Sequence, residues 1–158
     1  MEAMRTMRRR LAAATAGWVF LSLAGCSGGG DPVLRTLDAI VKAADARDAK
    51  ALMEKVAPGF QAADGSGFAD AKLTVERYFS AYETLDVQVH DVKMERAEGA
   101  ARVRFRATLS GRPRRIGGLE GLVPSSAAYD FDLRLVPEGG AWKVSWAQWN
   151  PVSGGSPY

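Results

Sequence analysis

Past Asp86 the apolar residues fall on every second position, and that period commits the second half of the chain to antiparallel strands. Val103, Phe105, Ala107 and Leu109 alternate with Arg102, Arg104, Arg106 and Thr108, so one face of this strand is buried and the other is basic. Tyr129, Phe131, Leu133 and Leu135 alternate in the same way with Asp130, Asp132 and Arg134. Glu98-Gly99 and Gly139-Gly140 supply turns, and Trp142 to Trp149 is the last strand. The first strand, Asp86 to Ala97, breaks its own period: Val87 and Val89 have one parity, Val92 and Met94 the other. One extra residue near His90-Asp91, a β-bulge, returns both pairs to one face and bends the strand. With that residue before His90 the imidazole would share the inward parity of Val92 and Met94; the expected position is after it, where the imidazole keeps the parity of Gln88 and faces water.

Ahead of the strands the spacing is three and four. Asp31-Pro32 is a capping carboxylate followed by proline at the first helical position, and Val33, Leu34, Leu37, Ile40, Val41 and Ala44 make one stripe, which predicts a helix over 32–46. Asp48 caps a second helix over 48–56 that Pro58-Gly59 ends. Phe60 to Ala63 reads as a short strand running into an Asp64-Gly65 turn. A third helix is expected over 71–83, with Val75, Tyr78, Phe79 and Tyr82 on one aromatic face. Four antiparallel strands are expected to receive these helices.

The N-terminus has a different character. Arg5, Arg8, Arg9 and Arg10 precede the uncharged run Leu11–Leu23, the order of a secretory signal. These 13 residues fall short of the roughly 20 that cross a bilayer as a helix. Leu23-Ala24-Gly25-Cys26 resembles the lipobox of bacterial lipoproteins, and the resemblance implies cleavage before Cys26 and diacylglyceryl transfer to its thiol. Acyl chains on that cysteine would anchor the protein without spanning the membrane. Ser27, where enterobacterial lipoproteins kept in the inner membrane carry Asp, favours the outer membrane, facing the periplasm. The expected organisation is a signal over 1–25, lipidated Cys26 with a tether to residue 30, one domain over 31–150, and a tail over 151–158.

With the signal set aside, the basic look of the chain disappears. Four of the 21 basic and one of the 18 acidic residues lie in the first 25, which leaves 17 of each. Neutrality removes the compositional case for nucleic acid. Cys26 is the only cysteine, so the domain can form no internal disulfide and its core must hold by packing; one histidine and no second cysteine argue against a zinc site, and no cofactor is expected.

This order of helical hairpin, short strand, third helix and antiparallel meander resembles the NTF2-like family, also called SnoaL-like, an α+β fold in which a strongly curved sheet wraps N-terminal helices into a cone. The residues that carry the resemblance are the Ala44–Leu52 break, Phe60–Gly65 and the closing Trp142-Lys143-Val144-Ser145-Trp146 strand. A cystatin-like domain with an added helical hairpin is the nearest competing description.

No catalytic signature emerges. His90 and Asp91 are the acid–base candidates, because enzymes of the family place such a residue inside the cone; a solvated histidine is the plainer explanation. Tyr78, Tyr82, Tyr129 and Trp146 are candidate liners of a ligand pocket, with core packing as the alternative. Arg102, Arg104 and Arg106 face Asp130 and Asp132 on the next strand, which explains them as cross-strand ion pairs. Arg112, Arg114 and Arg115, in the long Gly111–Ser126 connection, are left as candidate anion contacts. Gly117-Gly118-Leu119-Glu120-Gly121 lacks a dinucleotide-binding spacing, and no Gly-x-Ser-x-Gly elbow occurs. The reading expected from all this is a lipid-anchored envelope module that binds a partner protein or a small apolar ligand. An isomerase or dehydratase and a purely structural lipoprotein with a filled cone are the alternatives; self-association is compatible with each.

Overall fold

A computed structural model describes residues 30–115 and 123–152. Helix α1 (Pro32–Asp45) begins where the capping pair predicts, with the Asp31 carboxylate accepting from the Val33 amide at 2.8 Å. Helix α2 (Ala49–Met53) is capped by Asp48, whose Oδ1 accepts from the Ala51 amide at 2.9 Å. Strand β1 (Val56–Ala62) and helix α3 (Phe68–Ser80) follow, and then four long strands, β2 (Tyr82–Ala97), β3 (Ala100–Pro113), β4 (Ser126–Glu138) and β5 (Ala141–Pro151).

These strands make one five-stranded sheet in the order β1-β5-β4-β3-β2. The four long strands pair antiparallel, as their period predicts. The expectation of a wholly antiparallel sheet does not hold, because β1 joins the free edge of β5 in parallel. A parallel neighbour needs a long crossover, and the rest of the domain between β1 and β5 provides it. Pro58-Gly59 does not end a long second helix but lies inside β1, where an edge strand tolerates proline. Helix α3 starts earlier and stops earlier than 71–83: Asp70 closes its first turn onto the Gly67 amide at 3.1 Å, and Tyr82 already belongs to β2. The last strand runs past its expected end at Trp149 to Pro151, and Val152 N donates to Ala128 O at 2.9 Å. No helix among the described residues is long and apolar enough to cross a membrane.

The expected bulge is present in β2. His90 pairs with Arg106 and Lys93 with Arg104, so Asp91 and Val92 together oppose Phe105. Asp91 takes φ +55°, a left-handed conformation usual for glycine at such a bulge. The register therefore puts Val89 opposite Ala107 and Met94 opposite Val103, on the helix-covered face.

One core fills that face. Val33, Leu37, Met53, Phe60, Val103, Leu133, Leu135 and Val144 are buried together, with Val33, Val103 and Leu135 at 1% exposure or less. A second cluster, Ala44, Phe79, Tyr82 and Leu85, closes the far end of the sheet, with Tyr78, Val87, Leu109 and Val123 packed against it. The two ends differ. The β2–β3 and β4–β5 turns lie at one, hereafter the turn end; Tyr82, Pro113 and Ser126 lie at the other, the tyrosine end.

Candidate functional site

The tyrosine end is built where α3 hands over to β2. Tyr78 occupies the last turn of α3 and Tyr82 opens β2, and their rings meet at 5.2 Å between centroids, tilted by 42°. Tyr129 comes from β4, opposite Ala107, and its ring is 6.2 Å from that of Phe131. Phe131 in turn stacks on Phe105 at 5.2 Å. On β5, Trp149 pairs with Phe131 and remains 39% exposed, an unusual value for an indole beside a core.

Polar atoms in this apolar setting are few. The Tyr82 hydroxyl donates to the Pro124 carbonyl at 2.8 Å. The Tyr78 hydroxyl is buried and has no hydrogen-bond partner among the described residues. Burial raises the pKa of this phenol far above its ordinary value, and the nearby Tyr82 and Tyr129 phenols add to the effect, although Tyr82 is not in hydrogen-bonding geometry with it. A neutral hydroxyl buried without a partner costs about 1–3 kcal/mol, and so is an unusual thing for a core to retain.

Trp146 does not join the tyrosines. It pairs with Arg134 on the outer face of the sheet, where the Arg134 guanidinium lies 4.6 Å above the indole. The cause is a register shift in β5: Val144 opposes Leu135 and Trp146 opposes Arg134, so Ser145 is the extra residue and the strand changes parity there. Trp142 therefore packs on the core while Trp146 faces outward. The same shift brings in Trp149, which alternation from Trp142 would have assigned to the exposed face.

His90 is exposed and pairs with Arg106, so it lies on the outer face. Asp91 lines an open concavity of about 460 Å³ there, with Lys93, Arg104, Arg106, Asp130, Asp132, Gln148 and Asn150. The arginines are largely occupied. Arg102 holds Asp132 in a forked pair at 2.9 and 2.5 Å, Arg106 holds Asp130 at 2.8 and 3.1 Å, and Arg104 meets Glu95. Arg102 and Arg106 hold these two carboxylates below their usual pKa. The charges thus serve mainly to satisfy one another along the ladder.

Of the three basic residues expected in the connection, Arg112 belongs to β3 itself, and it and Arg114 are engaged. Arg112 reaches Glu83 at 3.4 Å, and Arg114 donates from Nε to the Tyr82 carbonyl at 3.3 Å and from its backbone to Ala81 at 2.8 Å, which ties β3 to the α3–β2 junction. Arg115 is exposed. Residues 116–122 of that connection, and Cys26 with the signal, lie outside the described residues. Among the described residues no group of three His, Cys, Asp or Glu side chains is placed to hold a metal.

A curved sheet that wraps three N-terminal helices is shared with solved structures. No family model and no curated protein matches the sequence. A Streptomyces avermitilis protein assigned as a dehydratase of the NTF2-like family superposes with a TM-score of 0.66 at 14% identity, covering 78% of this chain and 96% of that one. The fold is NTF2-like. Another structure with this NTF2-like fold, assigned as a scytalone dehydratase of Novosphingobium aromaticivorans, gives 0.64 at 14%, with 77% and 82% covered. Bdellovibrio bacteriovorus Bd1075 gives 0.62 at 13%; 76% of this chain is covered, but only 40% of Bd1075. At these identities the likeness is one of fold.

Proposed function

We propose that this NTF2-like domain is a lipid-anchored module of the cell envelope that holds a small, largely apolar ligand at its tyrosine end, with Tyr78 donating to an acceptor on that ligand. The observation that carries the reading is the buried Tyr78 hydroxyl without a partner among the described residues, near the Tyr82 and Tyr129 phenols, on a side chain that packs with Val87 and Leu109 against one buried cluster. A carbonyl or ether oxygen placed there would recover the hydrogen bond that folding has removed from water. The half-exposed Trp149 beside Phe131 supplies an aromatic surface on the same sheet face. The anchor rests on Leu23-Ala24-Gly25-Cys26 behind its basic and apolar segments.

The dehydratase assignments of two neighbours favour a second reading, turnover of a ligand at this end. It needs a base beside the phenol, and His90 and Asp91 lie across the sheet from it. Titration of residues 27–158 with 1-tetralone and with tetralin, the same body without the carbonyl, tests the binding proposal through tryptophan fluorescence. Saturable binding with a clear preference for the ketone is expected. No binding of either compound would contradict it, and conversion of an added ketone or alcohol would put the enzyme reading first.

A further inference from the structure

We propose that the domain stands on the bilayer by its turn end, so that the tyrosine end points away from the lipid surface; the inference rests on the lipid anchor at Cys26. Its basis is where α1 begins. The Asp31 carboxylate accepts from Val33 at 2.8 Å and from Arg96 Nη2 at 2.5 Å, and the Arg96 guanidinium lies 5.1 Å above the ring of Trp142. Arg96 is the second-last residue of β2 and Trp142 the second of β5. Thr36 adds a hydrogen bond to the Trp142 carbonyl at 3.2 Å. The entry of the chain into the domain is therefore pinned beside the Glu98-Gly99 and Gly139-Gly140 turns.

From that point α1 runs toward the tyrosine end. Asp45 accepts from the Val87 amide at 2.7 Å, and Arg47, just past the helix, donates to the Tyr82 carbonyl at 2.8 Å. The 14 residues of α1 cover about 21 Å at 1.5 Å per residue. Cys26 precedes Asp31 by five residues, which even fully extended reach only about 18 Å. A connection that short cannot run back along α1 to bring the lipid to the tyrosine end. The partner of the turn end is the lipid headgroup surface, and a ligand reaches Tyr78 from the aqueous side.

Because acylation consumes the thiol of Cys26, a cysteine introduced elsewhere is the one labelling site in the full lipoprotein. Glu98→Cys and Ala141→Cys mark the turn end, Ser125→Cys and Glu83→Cys the tyrosine end; all four positions are exposed. Each variant is made as the processed lipoprotein, labelled with a fluorophore and reconstituted into phosphatidylethanolamine–phosphatidylglycerol vesicles carrying a headgroup spin label. Several-fold stronger quenching at residues 98 and 141 than at 83 and 125 is expected. Equal or reversed quenching in a protein that mass spectrometry shows to carry lipid on Cys26 overturns the orientation and leaves the anchor standing. Absence of lipid on Cys26 overturns both.

Discussion

Tyr78 concentrates the functional argument in one atom, and it makes an unusual stability prediction. Tyr78→Phe removes a buried hydroxyl that none of the described residues satisfies, so the ligand-free protein should melt no lower than the parent, and higher by up to about 1 kcal/mol in stability. The same substitution should remove the preference for 1-tetralone over tetralin. A marked fall in melting temperature would mean that the hydroxyl has a structural partner. Gly111 is constrained in the opposite sense: a Cβ there would lie 2.2 Å from the Thr84 carbonyl oxygen and 3.0 Å from the Tyr82 ring. Gly111→Ala should cost about 1–3 kcal/mol, read from a denaturant midpoint; an unchanged midpoint would show that β2 and β3 separate there easily. Acid sensitivity also belongs to single residues. Arg102 holds Asp132, Arg106 holds Asp130 and Arg96 holds Asp31 below the ordinary carboxylate pKa. A carboxylate depressed in the folded state stabilises above its unfolded pKa, near 4, and that contribution is lost as pH falls through the folded value. Melting temperature should therefore be level from about pH 5 to 8 and fall below about pH 4, less steeply in Asp132→Asn.

The elements show which signals a sequence carries openly. Both helix starts were legible, because Asp31-Pro32 and Asp48 act locally on the first turns. The bulge in β2 was legible because Val89 and Val92 contradict each other's parity. The bulge in β5 was not, since Trp142, Val144 and Trp146 alternate without fault in sequence while the strand changes face at Ser145. Alternation alone therefore points to Trp146 as a pocket liner and gives no sign of Trp149. The second half of β1 is legible as the short strand expected from Phe60; its first half is hidden by Pro58-Gly59, which ends a central strand or a helix but not an edge strand. Tyr78 is legible from its spacing on α3 and Tyr129 from alternation on β4, whereas Tyr82 fits the helical spacing although it opens β2; that Tyr78 lacks a partner among the described residues is a tertiary fact. At the β2 bulge, Asp91→Val should destabilise by about 1–2 kcal/mol, because a branched side chain is strained at φ +55°, whereas Asp91→Gly should be neutral or better. Equal urea midpoints for the two would indicate that the bulge can move along β2.

At the scale of the molecule, two separate readings meet: a membrane anchor at one end and an apolar site at the other. The lipobox reading predicts that Cys26→Ser abolishes incorporation of radiolabelled palmitate and leaves an uncut precursor; normal cleavage and release of a soluble protein would contradict it. The fold places the start of α1 beside the turns and Tyr82 beyond its far end, which is the geometry the proposed anchor would use. Whether a ligand is held at the tyrosine end can be read from the tryptophan indole N–H signals of residues 27–158, which contain Trp142, Trp146 and Trp149. Trp149 shares the helix-covered face with Phe131, Trp146 lies on the outer face under Arg134, and Trp142 is packed at the turn end. Titration with 1-tetralone should shift the Trp149 signal saturably and leave Trp146 unmoved. Movement of Trp146 alone, or of none of the three, would contradict the account.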